Sequence, residues 1–334
     1  MPPKTSRLTA FDLNLMAVAE AGQADEIECL IAKGASARAE DNLKKTAFIL
    51  AAENGHLECL KALLPHSRAS KADCEGTTAL GWAAMRGHVD CVAFLAGVID
   101  PNKVDKKGAT PLCEAAEAGH ADCVAILAPL TDVKKQQQNG QTALMRAASG
   151  PGLAFKHWGG GEGDYVSCLR ILLPLSDPVA TEWNGRTALM IATQVAGQRK
   201  MLGHSEEKAL KCVEMLIPVS DLAARADPED RRAAGKTAFE IAAGFEHAKA
   251  MDLLARTADR EFMALFKKEF GKGFSKAFPR WTAFVEAEQL ARAAGISSAT
   301  AEKQTNSKKS RGSPADESNV PTAAAGNGSR KNRL

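Results

Sequence analysis

The chain has 334 residues, more than one ordinary single-core domain contains, and its length alone predicts about two domains. Hydrophobic residues make up 45% and charged residues 25%, both ordinary for a soluble protein. The net charge of +3 is unevenly distributed, because residues 1–259 carry −4 and residues 260–334 carry +7. The composition therefore indicates a mildly acidic body with a basic C-terminal quarter.

The same composition excludes several classes of protein. Aromatic residues make up only 5% of the chain, whereas 61 alanines favour closely packed helices and argue against a β-sandwich. No apolar run approaches the roughly 20 residues of a membrane-spanning helix, and residues 1–10 predict a partly disordered leader without a secretory signal. The eight cysteines fit no disulfide scaffold in so long a chain and predict free thiols in the cytoplasm.

From residue 11 to residue 257 the sequence repeats one pattern. A divergent first copy runs from about Leu13 to Ala35, and six further copies align on a threonine. The threonines are spaced by 32, 32, 32, 45 and 50 residues, and each is followed by Ala-Leu, Ala-Phe or Pro-Leu. They are Thr46, Thr78, Thr110, Thr142, Thr187 and Thr237. Self-similarity at such a period predicts a repeat architecture.

Each copy predicts two helices joined by a tight turn. The threonine hydroxyl can cap the first helix, and a pair of small residues, such as Ala83 and Ala84, allows neighbouring helices to approach closely. Gly-His follows in three copies, where the glycine suits the left-handed backbone that ends a helix. A cysteine then marks the second helix, which a proline usually ends. We call Cys59, Cys91, Cys123, Cys168 and Cys212 the column cysteines.

The combined pattern D-x-x-G-x-T-[AP]-L-x-x-A-A-x-x-G-H-x-x-C-V-x-x-L resembles the ankyrin repeat. The resemblance covers about seven copies and implies an all-α solenoid of helix-turn-helix repeats. It further implies that the histidine bridges neighbouring copies, that the cysteine position is small and buried, and that turn tips and first helices contact a protein partner. The Cys-Val frame and the Leu-Pro-x-Ser-Asp endings are similar to bacterial or protist arrays.

Two copies are longer than the others between their two helices. The extra 13 and 12 residues fall near 150–163 and 195–207, and both segments predict loops that project from one edge of the stack. The first contains Phe155 and Trp158 in a glycine-rich stretch, which indicates either a grip for a partner or a tolerated flexible insertion. A third insertion adds six residues near 221–234.

Candidate catalytic and metal-binding residues give little support for chemistry. His-x-x-Cys occurs three times, but a structural zinc site needs four converging ligands, and these pairs lie a whole repeat apart. No Ser/His/Asp arrangement, paired carboxylates or phosphate loop is present, and His66, His204 and His247 stand alone. We therefore predict no metal, no cofactor and no enzymatic activity.

The resemblance assigns partner-facing positions residue by residue. The predicted contact centre consists of Trp82, Arg86, Glu117 and Arg146. Trp82 replaces a modest aliphatic residue of the family pattern, and tryptophan and arginine are enriched at binding hot spots. The alternative for Trp82 is a place in the core. The other candidates are Glu75, Met85, Lys106, Lys107, Glu114, Trp183 and Arg186, with Phe155 and Trp158 from the first insertion.

Residues 258–295 predict a helical cap on the last repeat. Within 260–281, phenylalanine recurs every four residues from Phe262 to Phe278, beside six basic and two acidic residues. A terminal repeat needs a cap, and five phenylalanines are too much apolar surface to leave in water. Contact of 260–281 with a partner or an anionic membrane is the alternative, although Gly271 argues against one long helix.

Residues 296–334 are rich in small and polar residues and predict a disordered basic tail. The basic clusters near Lys308 and Arg330 either keep the chain in solution or act as a nuclear or secretion address. Without a folded basic patch, the sequence does not predict specific nucleic-acid binding.

Three functional hypotheses follow from these observations. The first is a non-enzymatic protein-protein interaction scaffold, a monomer that binds an unidentified protein and no small-molecule substrate. The second is a secreted bacterial effector or membrane-peripheral adaptor, which the basic aromatic C-terminal segment delivers or anchors. The third is an enzyme with a site in the irregular repeats.

Overall fold

The structure, a computed structural model, describes residues 8–150, 163–201, 206–229, 235–245 and 247–257. The described residues contain fourteen α-helices in seven consecutive pairs. The first helices of the pairs are α1 (Ala10–Ala21), α3 (Ala47–Glu53), α5 (Ala79–Arg86), α7 (Pro111–Ala118), α9 (Ala143–Ser149), α11 (Ala188–Met201) and α13 (Ala238–Gly244). The second helices are α2 (Ala24–Ala32), α4 (Leu57–Leu63), α6 (Val89–Ala96), α8 (Ala121–Leu127), α10 (Tyr165–Leu172), α12 (Glu207–Leu216) and α14 (Ala248–Thr257).

The pairs stack in chain order. Each first helix packs against the first helix of the next pair, and each second helix does the same in its own layer. Within the described ranges no β-strand is formed, and one isolated bridge joins Ala72 and Thr78. The all-α solenoid predicted from the repeat is confirmed. The predicted cap 258–295, the tail 296–334, Phe155 and Trp158 lie outside the described residues.

The repeated threonine begins the first helix of each copy. The hydroxyl oxygen of Thr78 accepts a hydrogen bond from the Gly81 backbone N–H at 3.3 Å, and the other five repeated threonines accept the same bond. Thr9 caps α1 in the same way, together with Asp12, so the first pair begins at Ala10, within the predicted leader. The threonines satisfy N–H groups that have no partner inside the helix.

Small residues bring the first helices together. Ala83 and Ala84 of α5 are fully buried, as are the corresponding small residues of α3, α7, α9, α11 and α13 to within a few per cent. Leu80 and Leu95 fill the space between the two layers, and the column cysteines are all buried. The alanine excess of the sequence is thus used largely at helix-helix contacts, where a larger side chain has no room.

A histidine fixes each pair onto the preceding one. The His88 ring donates from Nε2 to the Glu53 carbonyl oxygen at 2.9 Å, and the ring lies over Gly55. A Cβ on Gly55 would come within 2.5 Å of His88 Nδ1, and its φ of +79° also favours glycine. The same bond joins His56 to Glu20 and His120 to Met85. The bridging role that the resemblance implies is confirmed.

After the first insertion, Tyr165 takes the place that the bridging histidine occupies in the regular copies. Tyr165 is 8% exposed and lies so close to Gly119 and Gly150 that a Cβ on either glycine would collide with its ring.

The prediction that His247 stands alone is wrong. It keeps the ten-residue spacing from its threonine, is 1% exposed, and places Nε2 3.2 Å from Glu206 Oε2.

The first part of the second insertion, residues 195–201, does not form the loop that we predicted for 195–207, and residues 202–205 lie outside the described part of the chain. Helix α11 continues to Met201, so residues 195–201 are helical. Val195 and Ala196 are buried and extend the apolar face of the helix by a further turn. The ring of Phe245, the residue directly after α13, packs on Gly197. A Cβ on this glycine would lie 2.4 Å from Phe245 Cγ. Contact with the following copy therefore favours the longer helix.

Candidate interaction surface

A short turn precedes the first helix of the second to the seventh copy, as far as the structure describes these residues, and we call these turns fingers. In the finger at residues 73–77, Asp73 Oδ1 accepts hydrogen bonds from the backbone N–H groups of Glu75 and Thr77, both at 2.9 Å. Gly76 completes the turn with a φ of +86°. The finger at 41–45 has Lys44 in the glycine position, and this lysine takes the left-handed backbone with a φ of +60°. The turn therefore persists without its glycine.

Backbone hydrogen bonds join the fingers into one row. In each step, an N–H of one finger donates to a carbonyl oxygen of the finger before it, at 2.8–3.1 Å. The bonds run from Cys74 to Leu43, Lys106 to Glu75, Gln138 to Lys107, Trp183 to Asn139, and Asp227 to Asn184. The last bond shows that the finger of the seventh copy continues the same row, although the third insertion follows it. Residues 230–234 of that insertion lie outside the described part of the chain. The row holds adjacent finger tips at fixed separations.

The finger tips carry exposed side chains of mixed chemistry. We call this set the fingertip row, and it consists of Leu43, Glu75, Lys106, Lys107, Gln138, Asn139, Trp183 and Asn184. Trp183 is 75% exposed, the highest value among the large hydrophobic residues that the structure describes. Its ring lies beside Gly140, where a Cβ would come within 2.9 Å of Trp183 Cδ1. Glu75, Lys106, Lys107 and Trp183 of the predicted site thus lie together on one surface.

Trp82, the predicted contact centre, belongs to the core. Its side chain is 7% exposed, and its Nε1 donates to Asp73 Oδ2 at 2.9 Å. The Lys45 ammonium lies 3.8 Å from the centre of its ring. Trp82 therefore ties a finger to the helix behind it, and the alternative of a core residue is correct. The sequence does not separate the two roles, because both favour a large aromatic residue.

Arg86 lies beside Trp82 in the groove between the fingers and the first helices. Its Nη2 is 3.0 Å from Glu53 Oε1, and Lys45 Nζ is 2.5 Å from Glu53 Oε2. Lys45 is only 8% exposed, and Glu53 is bound by both cations. Sequence reasoning missed Lys45 and Glu53. Lys45 stands directly before the capping Thr46, and Glu53 stands seven residues after it. These two positions are the sequence feature that could have identified the pair.

Glu117 and Arg146 form the next charged contact along the groove. The Arg146 guanidinium from α9 pairs with the Glu117 carboxylate from α7, so this ion pair bridges two copies. The pKa of Glu114 is raised to about 7, mainly by burial; the cation Arg146 partly offsets this effect, and the nearby carboxylates Glu117 and Asp105 add to it. The groove at this point contains more carboxylates than cations.

Arg186 and Met85 are less accessible than predicted. Arg186 is 7% exposed and donates from Nε to Glu182 Oε1 at 2.5 Å and from Nη1 to Gln194 Oε1 at 3.0 Å. Met85 is half-buried, and its carbonyl oxygen accepts the bond from His120. Arg186 is therefore held inside its own copy. The groove charges mainly neutralise one another, whereas the fingertip row faces solvent.

A comparison with protein families identifies the same repeat. A family model described as ankyrin repeats (3 copies) matches residues 15–105 and 97–155. The matched residues begin in α1 and extend beyond α9. The chain contains ankyrin repeats. Ankyrin repeats are generally protein-protein interaction modules, and arrays of this kind offer extended concave surfaces to their partners.

The thiols of the ankyrin array are poorly suited to chemistry. Burial raises the pKa of Cys91 to about 11 and that of Cys123 and Cys168 to about 12, so these thiols are neutral and weak nucleophiles at physiological pH. Cys29 is exposed and Cys74 is partly exposed. Among the described residues, no cluster of three or more His, Cys, Asp or Glu side chains is placed to hold a metal ion.

The length and apolar character of the described helices show whether any of them could cross a membrane. Within the part of the chain that the structure describes, no helix combines the length and the apolar character that crossing a membrane requires. The segment 260–281, for which we considered membrane contact, lies outside the described residues.

Proposed function

We propose that this ankyrin array is a non-enzymatic scaffold that binds a protein partner through its fingertip row and the adjoining side of the groove. The observation that carries the proposal is the backbone ladder of the fingers, which presents Trp183 at 75% exposure between polar tips. An exposed tryptophan on a fixed backbone is costly to leave in water and gains much from burial against a partner.

The groove supports this function in a different way. Glu53, Glu117 and Glu182 are each bound to a cation of the same array. Such pairs hold the fingers and helices in place, so a partner meets a pre-formed surface and little ordering entropy is lost on binding. The affinity of the complex then depends mainly on the finger tips, and the groove supplies shape.

The test compares finger variants with a variant on the second helices. Trp183→Ala and the pair Lys106→Ala/Lys107→Ala remove fingertip side chains, while Arg170→Ala removes an exposed side chain from α10. We expect a partner captured from the source cells by the full-length chain to lose at least about tenfold in affinity with the finger variants. Binding of the partner to Arg170→Ala should be unchanged.

Thermal unfolding of each variant is the control for folding. Exposed substitutions of this kind usually change stability by less than about 0.5 kcal/mol, so the melting temperatures should match. A partner that binds all variants equally, or that is lost only with Arg170→Ala, would place the binding surface on another side of the array.

A further inference from the structure

A second surface repeats along the edge of the array where the second helices end. Seven residues after four of the column cysteines, the chain carries an aliphatic residue that is exposed. These residues are Val98, Leu130, Leu175 and Val219, with exposures of 39%, 48%, 44% and 42%. Exposed prolines, Pro129, Pro174 and Pro218, precede three of them. Four consecutive copies thus expose an aliphatic side chain at one equivalent position. Single exposed apolar residues are ordinary, whereas a set that recurs along one edge indicates an interaction surface.

An acidic residue follows two positions later in the same four copies. The aspartates are Asp100, Asp132, Asp177 and Asp221, and all four are exposed. Each uses Oδ1 to accept a hydrogen bond from the backbone N–H two residues further on, at 2.9–3.1 Å. Within the described part of the chain, none of the four forms an ion pair. We call the aliphatic and acidic positions together the edge stripe.

The stripe is most acidic in the fifth and sixth copies. Residues 173–181 and 217–224, which surround Asp177 and Asp221, contain no lysine or arginine. The next cation, Arg225, is bound to Glu240 at 3.1 Å. A surface of this kind fits a segment that alternates apolar and basic side chains.

The chain itself contains such a segment, and it starts at the end of the stripe. Thr257, the last described residue, occupies in the seventh copy the position of Leu175 and Val219. The sequence that follows has Phe262, Phe266, Phe270, Phe274 and Phe278 at every fourth position, with Lys268, Lys272 and Lys276 midway between phenylalanines and Arg280 two residues after the last one. In an extended backbone, alternate residues share one face, so aromatic and basic side chains would alternate along that face.

We infer that residues 262–280 run back along the edge stripe of their own array, with the phenylalanines on the exposed aliphatic residues and the basic side chains at the aspartates. The length of the segment is sufficient. Nineteen extended residues reach about 60 Å, and the four steps from the seventh copy back to the third cover about 40 Å at about 10 Å per helix layer. The segment thereby covers an edge of the array that is separate from the fingertip row and stays compatible with binding of a partner there.

Zero-length crosslinking of the full-length chain tests the placement. A carbodiimide joins a carboxylate to an amine only when the two are in contact, and mass spectrometry locates the products. We expect crosslinks from Asp177 and Asp221 to Lys268, Lys272 or Lys276, and none from Glu75 on the fingertip row. Crosslinks of these lysines to the seventh copy alone would mean that the segment covers the end of the array, and the inference would be overturned. Links found only between chains of different isotope label would assign the stripe to a second copy and overturn it equally.

Limited trypsin digestion supplies the second measurement. The pair Asp177→Lys/Asp221→Lys should increase cleavage after Lys268, Lys272 and Lys276 by about fivefold, because proteolysis follows the population of the undocked segment. Adding Lys272→Glu/Lys276→Glu should restore slow cleavage at the remaining sites.

A substitution in the aliphatic part of the stripe completes the design. Leu175→Glu should accelerate cleavage as the aspartate variants do, whereas Leu43→Glu, at a fingertip residue of similar 53% exposure, should not. Equal cleavage rates in all variants, or no rescue by the charge exchange, would refute the docking of the segment on the stripe.

Discussion

At the scale of single residues, the contact between copies depends on space that only glycine leaves free. Gly87 has a φ of +78°, and a Cβ there would lie 2.5 Å from His120 Nδ1. Gly34 has a φ of +96° but no atom within 4 Å of a Cβ position. The two glycines therefore share the backbone requirement and differ in the contact, which makes them a matched pair.

Substituting this pair separates the two effects. Gly34→Ala should cost only the left-handed backbone, about 1 kcal/mol of the free energy of unfolding. Gly87→Ala should cost at least about 2 kcal/mol, because the histidine that bridges the copies must also move. Urea unfolding followed by circular dichroism measures both. Equal losses for the two variants would show that the histidine adapts without cost.

The half-buried carboxyl of Glu114 predicts a dependence of stability on pH. Its pKa of about 7 in the folded chain lies above the ordinary value of 4.5, so the ionised form opposes folding above pH 7. Stability gained from protonation appears as the pH falls through about 7 and is complete below about 4.5. Glu114→Gln should therefore be more stable than the wild type at pH 8, by about 1–3 kcal/mol, and should lose this advantage near pH 4.5.

Thermal unfolding from pH 4.5 to pH 8 measures this difference. The control is Glu58→Gln on α4, a carboxylate with an exposed side chain that pairs with Lys61 on its own helix. Its stability relative to the wild type should vary little over this range. An advantage of Glu114→Gln that is independent of pH would rule out the raised pKa as its cause.

At the scale of single helices, length is set by the neighbouring copy as well as by local sequence. Most first helices end after seven or eight residues, at the Gly-His turn or at the equivalent site, whereas α11 extends over fourteen residues. The longer helix continues where Phe245 packs on Gly197. The interaction lies between the sixth and seventh copies, so the copy that follows stabilises the extension.

Gly197→Ala tests this interpretation. The added methyl group would collide with Cγ of Phe245, close to the backbone of α13's end, and should destabilise the seventh copy by about 1–3 kcal/mol. Hydrogen exchange in residues 235–257 should accelerate, while exchange in α5 and α7 stays unchanged. Gln198→Ala, one position along and only partly exposed, is the control. If both variants exchange alike, the contact with Phe245 does not hold the seventh copy.

At the scale of the array, stability is distributed over neighbouring pairs. Each pair of helices contacts mainly the pairs before and after it, so loss of structure starts most readily at the ends of the stack. Six of the eight cysteines are buried, and they report on different copies. The column cysteines are therefore natural probes of the order in which copies open.

Thiol labelling at increasing urea reads this order directly. Without urea, Cys29 and Cys74 should react while the buried thiols are protected. With increasing urea, we expect Cys59 or Cys212, which lie nearer to the ends, to react before Cys123 in the middle. Mass spectrometry of the labelled peptides gives the extent at each site. Simultaneous labelling of all buried cysteines would indicate that the array unfolds as one unit.

The repeat, the helix starts at the threonines, the tight turns and the small residues between helices can all be predicted from the amino-acid sequence. These features are local or recur with a fixed period, so each copy confirms the next. The packing of the folded chain was needed to learn that Trp82 lies in the core, that Arg146 bridges to Glu117, that Arg186 pairs within its own copy and that α11 is long. The physical reason is that the environment of a groove side chain is set by the facing residue, often one in the adjacent copy, and the repeat pattern does not specify that residue.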